Sequence, residues 1–124
     1  MENSYSLLVV DDELIAREHI LTMLDWEKLG IHRLYEADNG FAAEAIIQQS
    51  RPDIMLLDVR MPQMTGVELM ERILKKSAKI QVIVLSAYSD FEAARKMLSM
   101  GMAADYILKP VEEDVLTEAI INAS

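Results

Sequence analysis

Four short apolar runs, each closed by a polar residue, and one weaker strand segment alternate along this chain with stretches of helical spacing. The runs are Tyr5 to Val10, Ile54 to Leu57, Ile80 to Leu85 and Ala104 to Leu108; the weaker second strand is at 32–36. Ile54-Met55-Leu56-Leu57 has no polar residue at all, which suits a central parallel strand covered on both sides. Leu14 to about Leu24 has helical spacing, with Gly30 as a stop signal beyond it. Asn39 is the expected N-cap of a helix from Gly40 to Gln49, and Pro52 breaks the chain behind it. Thr65-x-x-Glu68 forms a capping box for a helix reaching about Lys76. Ser89-x-x-Glu92 reads as a second box, with Gly101 fitting the far end of that helix. Glu112-Glu113-Asp114 puts acid at the start of a last helix, where the dipole favours it. Val115, Leu116, Ala119 and Ile120 form its apolar stripe. Five strands alternating with five helices argue for an α/β fold with a parallel sheet covered on both faces.

Size and charge narrow the functions open to such a fold. A chain of 124 residues suits one domain, and 52% apolar residues are enough for a sizeable core. The net charge of −9 repels DNA, RNA and anionic membranes, so any DNA binding must come from another segment. With no cysteine there is no disulfide, thiolate metal site or thiol nucleophile. Met1-Glu2-Asn3-Ser4 has no leader pattern, and the apolar runs are far shorter than a membrane span. The expectation is a cytoplasmic domain without internal repeats or an inter-domain linker.

Open parallel sheets bind ligands at the carboxyl ends of their strands. Here those ends carry Asp11-Asp12, Asp58, Ser86 and Lys109, each directly after an apolar run. Taken singly, each has an ordinary reading: an Asp at a strand end caps or turns the chain, and Lys-Pro makes a turn. The weight lies in all four positions occurring together. Three carboxylates in one place repel and tend to hold their protons. A hard divalent cation relieves this; Mg2+ is the expected ion, with Mn2+ as the alternative. The lack of cysteine, and the position of His19 and His32 away from the strand ends, speak against zinc. Both histidines read as surface residues. With the first-strand acids holding the cation, Asp58 is free to act as a carboxylate nucleophile toward phosphorus, with Lys109 on the phosphoryl oxygens.

These residues carry a family resemblance. Leu8-Val9-Val10-Asp11-Asp12-Glu13, Asp53-Ile54-Met55-Leu56-Leu57-Asp58, Met61-Pro62-x-Met64-x-Gly66, Val84-Leu85-Ser86-Ala87 and Asp105-Tyr106-Ile107-Leu108-Lys109-Pro110 together resemble the response-regulator receiver domain of two-component signalling. The resemblance covers essentially the whole chain, 1–124, as a single receiver domain. It implies a flavodoxin-like (CheY-like) doubly wound five-stranded parallel sheet, order 2-1-3-4-5, with five helices. It implies Asp58 as phosphoacceptor from a sensor histidine kinase, Asp12 as a direct Mg2+ ligand, Asp11 acting mainly through water, and the Arg60 backbone carbonyl as another ligand. By the same resemblance Ser86 takes the hydroxyl role, Lys109 pairs with phosphate, Tyr106 is the switch aromatic, and the Lys109-Pro110 peptide is cis. Such a domain is no enzyme toward outside substrates; it catalyses only its own phosphorylation and dephosphorylation.

Ala87-Tyr88-Ser89-Asp90-Phe91-Glu92-Ala93-Ala94, with Leu24-Asp25-Trp26, is similar to a narrower subgroup that usually carries a C-terminal AraC-type helix-turn-helix output domain. DNA would be bound through that missing domain. Because the sequence stops at Ser124, where the last helix should end, an excised receiver is expected, with a stand-alone one as the second reading. Two departures from the family are modest: Thr65 stands where many receivers have an acid, and Ser86 replaces the commoner Thr.

Phosphorylation adds roughly two negative charges and new acceptor oxygens. Ser86 would turn toward them, Tyr106 would fill the vacated space, and a partner would read the altered surface of the fourth helix, fifth strand and fifth helix. Met97, Met100 and Met102 read first as flexible core filling; the alternative is an adaptable surface for a homodimer formed on phosphorylation. Three rival readings fare worse. A phosphatase on an aspartyl-phosphate wants a second carboxylate two residues after the nucleophile, where Arg60 stands. A flavin-binding domain wants a Ser/Thr/Gly-rich phosphate loop after the first strand, where Asp11-Asp12-Glu13 would repel a phosphate. A receiver that binds partners without phosphorylation would not need every site residue kept.

Arg60, Ala87 and Tyr88 flank the phosphoryl position, Arg60 and Tyr88 each two residues past a site residue. Both are bulky enough to hinder an attacking water. Phospho-Asp58 is therefore expected to hydrolyse slowly; a lifetime of seconds, unchanged by Arg60→Ala or Tyr88→Ala, would count against this.

Overall fold

The computed structural model describes residues 4–76 and 78–124. Met1 to Asn3, read above as lacking a leader pattern, lie outside the described residues. The strands are β1 (Tyr5–Val10), β2 (Ile31–Ala37), β3 (Ile54–Asp58), β4 (Gln81–Ser86) and β5 (Ala103–Leu108). The helices are α1 (Leu14–Met23), α2 (Gly40–Ser50), α3 (Gly66–Lys75), α4 (Phe91–Ser99) and α5 (Glu113–Ala123). All strand pairs are parallel, in the order β2-β1-β3-β4-β5. This is the doubly wound arrangement expected.

The alternation of side chains along each strand divides the core in two. Leu8, Val10, Met55, Leu57, Val82 and Val84 face α2, α3 and α4, meeting Ala43, Ile47, Leu69, Met70, Ile73, Ala94 and Met97. Leu7, Val9, Ile54, Leu56, Ile83, Leu85 and Ile107 face α1 and α5, meeting Ile20, Trp26, Leu116, Ala119 and Ile120. β1, β3 and most of β4 are buried on both faces, which explains their nearly unbroken apolar runs. β2 lies at the sheet edge, and its mixed composition follows from that position.

Local signals agree with the structure at several boundaries. Asn39 accepts the Ala42 N–H at 2.8 Å and caps α2. Thr65 and Glu68 form the reciprocal capping box at α3. Other signals give way to tertiary geometry. The Ser89-x-x-Glu92 box does not form: a 3-10 turn over Tyr88–Asp90 intervenes, and Asp90 stands at the N-cap of α4 without a side-chain capping bond. Gly30 ends a 3-10 turn (Glu27–Leu29) in left-handed conformation, φ 85°, whereas α1 stops earlier at Met23. Val115 is exposed, so the buried stripe of α5 is Leu116, Ala119 and Ile120. Met97 is fully buried, and Met100 and Met102 pack half-buried on the same core, which is the core-filling role.

Gly66 opens α3 hard against the end of β3. Its N–H donates to the Val59 carbonyl at 2.9 Å. A Cβ placed there would lie 2.7 Å from the Asp58 carbonyl oxygen and 3.2 Å from the Val59 Cα. Backbone cannot yield as a flexible side chain can, so the lost contact distance must come from moving α3 or the strand end. Gly66→Ala is expected to lose about 1–3 kcal/mol despite alanine's better helix propensity. Urea unfolding would show a lower midpoint at unchanged slope; a variant as stable as wild type would mean the junction is soft.

Candidate functional site

The carboxyl ends of β1, β3, β4 and β5 bring Asp11, Asp12, Asp58, Ser86 and Lys109 to one edge of the sheet. One carboxylate oxygen from each of Asp11, Asp12 and Asp58 lies within 4.8 Å of the other two. Asp11 and Asp58 are buried; Asp12 is exposed. Lys109 Nζ stands 2.9 Å from Asp58 Oδ1 and 3.6 Å from Asp11 Oδ2. The Lys109-Pro110 peptide is cis, and the Lys109 N–H donates to the Ser86 carbonyl at 2.8 Å.

The acids are held from below. Asp11 Oδ1 accepts the Glu13 N–H at 3.0 Å, and the Asp11 N–H donates to the Ala37 carbonyl at 3.1 Å. Arg17 of α1 donates to the Asp11 carbonyl at 2.7 Å and to Glu36 Oε1 at 2.9 Å. It thereby ties the first-strand turn to β2, a role that sequence spacing did not indicate.

Charge balance at the site is incomplete. Burial raises the Asp58 carboxyl from its usual 3.8 to about 6. The hydrogen bond and charge of Lys109 oppose this, and the charges of Asp11 and Asp12 add to it. Burial pulls the Lys109 ammonium down, but its hydrogen bond to Asp58, with the charges of Asp58 and Asp11, outweighs that and raises it. Lys109 thus pairs with two of the three clustered carboxylates, Asp58 and Asp11. Asp11 Oδ2 is buried and accepts no hydrogen bond among the described residues. An orphaned acceptor beside two further carboxylate oxygens is the donor set a hard divalent cation takes, so the residues fit Mg2+.

The remaining expected residues cluster around this edge. Ser86 is fully buried, and its hydroxyl donates to the Ala87 carbonyl at 2.8 Å instead of to Asp58. Tyr106 is half-buried against the α4-side core, one strand over from Val84. Ser86 follows Val84 by two residues, so it shares that face. Tyr88 is 85% exposed. The Arg60 guanidinium is engaged by Asp90: it donates through Nε, at 3.2 Å, and through Nη2 to Asp90 Oδ1. Asp90, the acceptor, is largely buried while Arg60 is largely exposed. No spacing rule links positions thirty residues apart, so this ion pair was invisible in the sequence. His19 and His32 are exposed and away from these strand ends.

Comparison with known proteins agrees with this geometry. Residues 7–121 match the family model described as the response regulator receiver domain. Among curated proteins, the uncharacterized transcriptional regulatory protein YesN of Bacillus subtilis is 34% identical over 116 residues, covering 94% of this chain and 31% of that protein. The transcriptional regulatory protein HptR of Staphylococcus aureus is 34% identical over 108 residues, covering 87% of this chain and 42% of that one. The chain therefore spans less than half the length of these relatives. Among solved structures, the REC domain of AraT, a response regulator from Geobacillus stearothermophilus, superposes with a TM-score of 0.89 at 30% identity, covering 97% and 92% of the two chains. A two component transcriptional regulator AraC from Clostridium phytofermentans gives 0.86 at 33%, with the same coverages.

The raised Asp58 carboxyl makes a stability prediction. A folded-state value above the unfolded one stabilises the fold fully below the unfolded value, and that contribution is lost as pH rises through about 6. Such a rise is worth at most roughly 3 kcal/mol. In metal-free buffer at pH 8, Asp58→Asn should be more stable than wild type by about 1–3 kcal/mol. The gap should close as pH falls from about 7 toward 4. Paired urea titrations across that range check this; a gap independent of pH would refute it.

Proposed function

The chain belongs to the response regulator receiver domain family, and on that premise we propose that it takes a phosphoryl group on Asp58 from a sensor histidine kinase. The observation that carries this reading is Lys109 Nζ at 2.9 Å from Asp58 Oδ1, with oxygens of Asp11 and Asp12 within 4.8 Å of an Asp58 oxygen. Asp11, Asp12 and Asp58, with the Arg60 backbone carbonyl, would hold Mg2+, Asp12 directly and Asp11 mainly through water. When bound, the ion supplies the positive charge that lets Asp58 stay ionised beside its neighbours.

The step itself is an in-line displacement. An Asp58 carboxylate oxygen forms the new O–P bond as the N–P bond of the donor phosphohistidine breaks. The electron pair returns to the imidazole nitrogen. Lys109, already paired with Asp58, shifts its hydrogen bonds to the phosphoryl oxygens as their charge grows. The Ser86 hydroxyl exchanges the Ala87 carbonyl for a phosphoryl oxygen. Tyr106, on the same face, follows into the space that Ser86 leaves.

On this reading the domain works in the cytoplasm as the input half of a transcriptional regulator. The output would be an AraC-type DNA-binding domain in a longer protein, as the names of similar proteins suggest. No helix among the described residues is long and apolar enough to cross a membrane. The chemistry is confined to self-phosphorylation and its reversal.

Incubation with acetyl phosphate and Mg2+, followed by intact mass, tests the reading. Wild type should gain one phosphate, whereas Asp58→Asn, or wild type with excess EDTA, should gain none. Phosphate on the Asp58→Asn variant, or none on wild type, would overturn it.

A further inference from the structure

Asp90 occupies the N-cap of α4, the position where an aspartate ordinarily accepts an N–H of the first helical turn. It makes no such bond. Its backbone, φ −102° and ψ 24°, lies outside the extended region that capping uses. Its carboxylate is instead engaged by Arg60, from the loop that follows the phosphoacceptor. Two neighbouring features therefore have an unused alternative. Arg60 sits two residues past Asp58, whose charge it feels, and could pair with a phosphoryl group there. Asp90, once released, could cap α4.

We propose that Asp90 is a positioning residue that holds Arg60 off the site until Asp58 is phosphorylated, and that the two then exchange partners. The phosphoryl oxygens offer about two negative charges and bidentate geometry, a stronger partner for guanidinium than one carboxylate oxygen. Arg60 is largely exposed, so its side chain can swing without unpacking the core. Asp90 is largely buried and would not stay unpaired; the amides of Glu92 or Ala93 are the nearest replacement donors of a capping bond. Reaching them requires ψ of Asp90 to move to the extended region. That change passes directly into the Tyr88–Asp90 turn, just after Ser86 and Ala87. The exchange would then add a second link between phosphorylation and α4, separate from Ser86 and Tyr106. It also gives the slow-hydrolysis expectation a mechanism: Arg60 would screen the phosphoryl group only after leaving Asp90.

This inference rests on the phosphoacceptor reading. Its test is a titration with beryllofluoride and Mg2+ of wild type, Asp90→Asn, Arg60→Ala and the double variant. Asparagine caps helices as well as aspartate but lacks the charge that holds Arg60. Arg60→Ala removes the guanidinium and leaves the backbone carbonyl. Asp90→Asn should bind beryllofluoride several-fold more tightly than wild type, and this gain should vanish in the Arg60→Ala background. Hydrogen exchange at Glu92 and Ala93 in wild type should slow on beryllofluoride binding. An equal gain in both backgrounds would show a mere charge effect and overturn the exchange, as would unchanged affinity or exchange that does not slow. Failure of wild type to bind beryllofluoride at all would instead sink the phosphoacceptor reading beneath it.

Discussion

Three carboxylates crowd the edge of this sheet and one ammonium pairs with two of them; most of the surrounding structure can be understood as holding that imbalance in place. Asp11 and Asp58 are buried, and Lys109 is their only cation within 4 Å among the described residues. Burial, with a smaller push from the charges of Asp11 and Asp12, raises the Asp58 carboxyl to about 6. A protein selected only for stability would replace one acid by a neutral residue. Keeping all three makes sense if the missing positive charge arrives from solution.

The parallel sheet is what makes such crowding sustainable. β1 and β3 are adjacent and buried on both faces, so the acids at their ends cannot splay apart without breaking the ladder between Val10 and Leu57. Gly66 lets α3 begin in contact with the Asp58 carbonyl, and Arg17 ties the Asp11 carbonyl to Glu36 on β2. The site is thus built on strand ends and braced by helix starts. Such preorganisation suits chemistry that consists largely of placing charge.

Much of this was legible in the sequence because it depends on local patterns. Apolar runs marked the strands, and polar residues directly after them marked the site, since a parallel sheet puts those ends together. Asn39 and Thr65 announced helix starts because their capping bonds lie within three residues. The failures share one cause. At α4, Ser89 and Glu92 matched a capping box, yet Asp90 took the N-cap position because a 3-10 turn and an ion pair to Arg60 shaped that junction. Val115 matched an apolar stripe, but the face of α5 that packs on the core is that of Leu116, Ala119 and Ile120, and Val115 stays exposed. Arg17 and the Arg60–Asp90 pair act across elements, and no pattern within one element could display them.

The two halves of the site differ in how freely they can respond. The acidic half is anchored on buried backbone: Asp11 directly follows β1, whose last four residues are buried, and Asp58 ends β3, buried throughout. The hydroxyl half, Ser86 and Ala87, leads into a short 3-10 turn with Tyr88 projecting into solvent. The Ser86 hydroxyl donates to its neighbour's carbonyl, a bond that can be exchanged at little cost. A charge placed on Asp58 therefore cannot be accommodated by moving Asp58. It must be met by groups arriving from the softer side: the hydroxyl, the ammonium and any cation carried on a loop. That asymmetry directs the response toward α4 and β5, because those are the elements hinged on the side that yields.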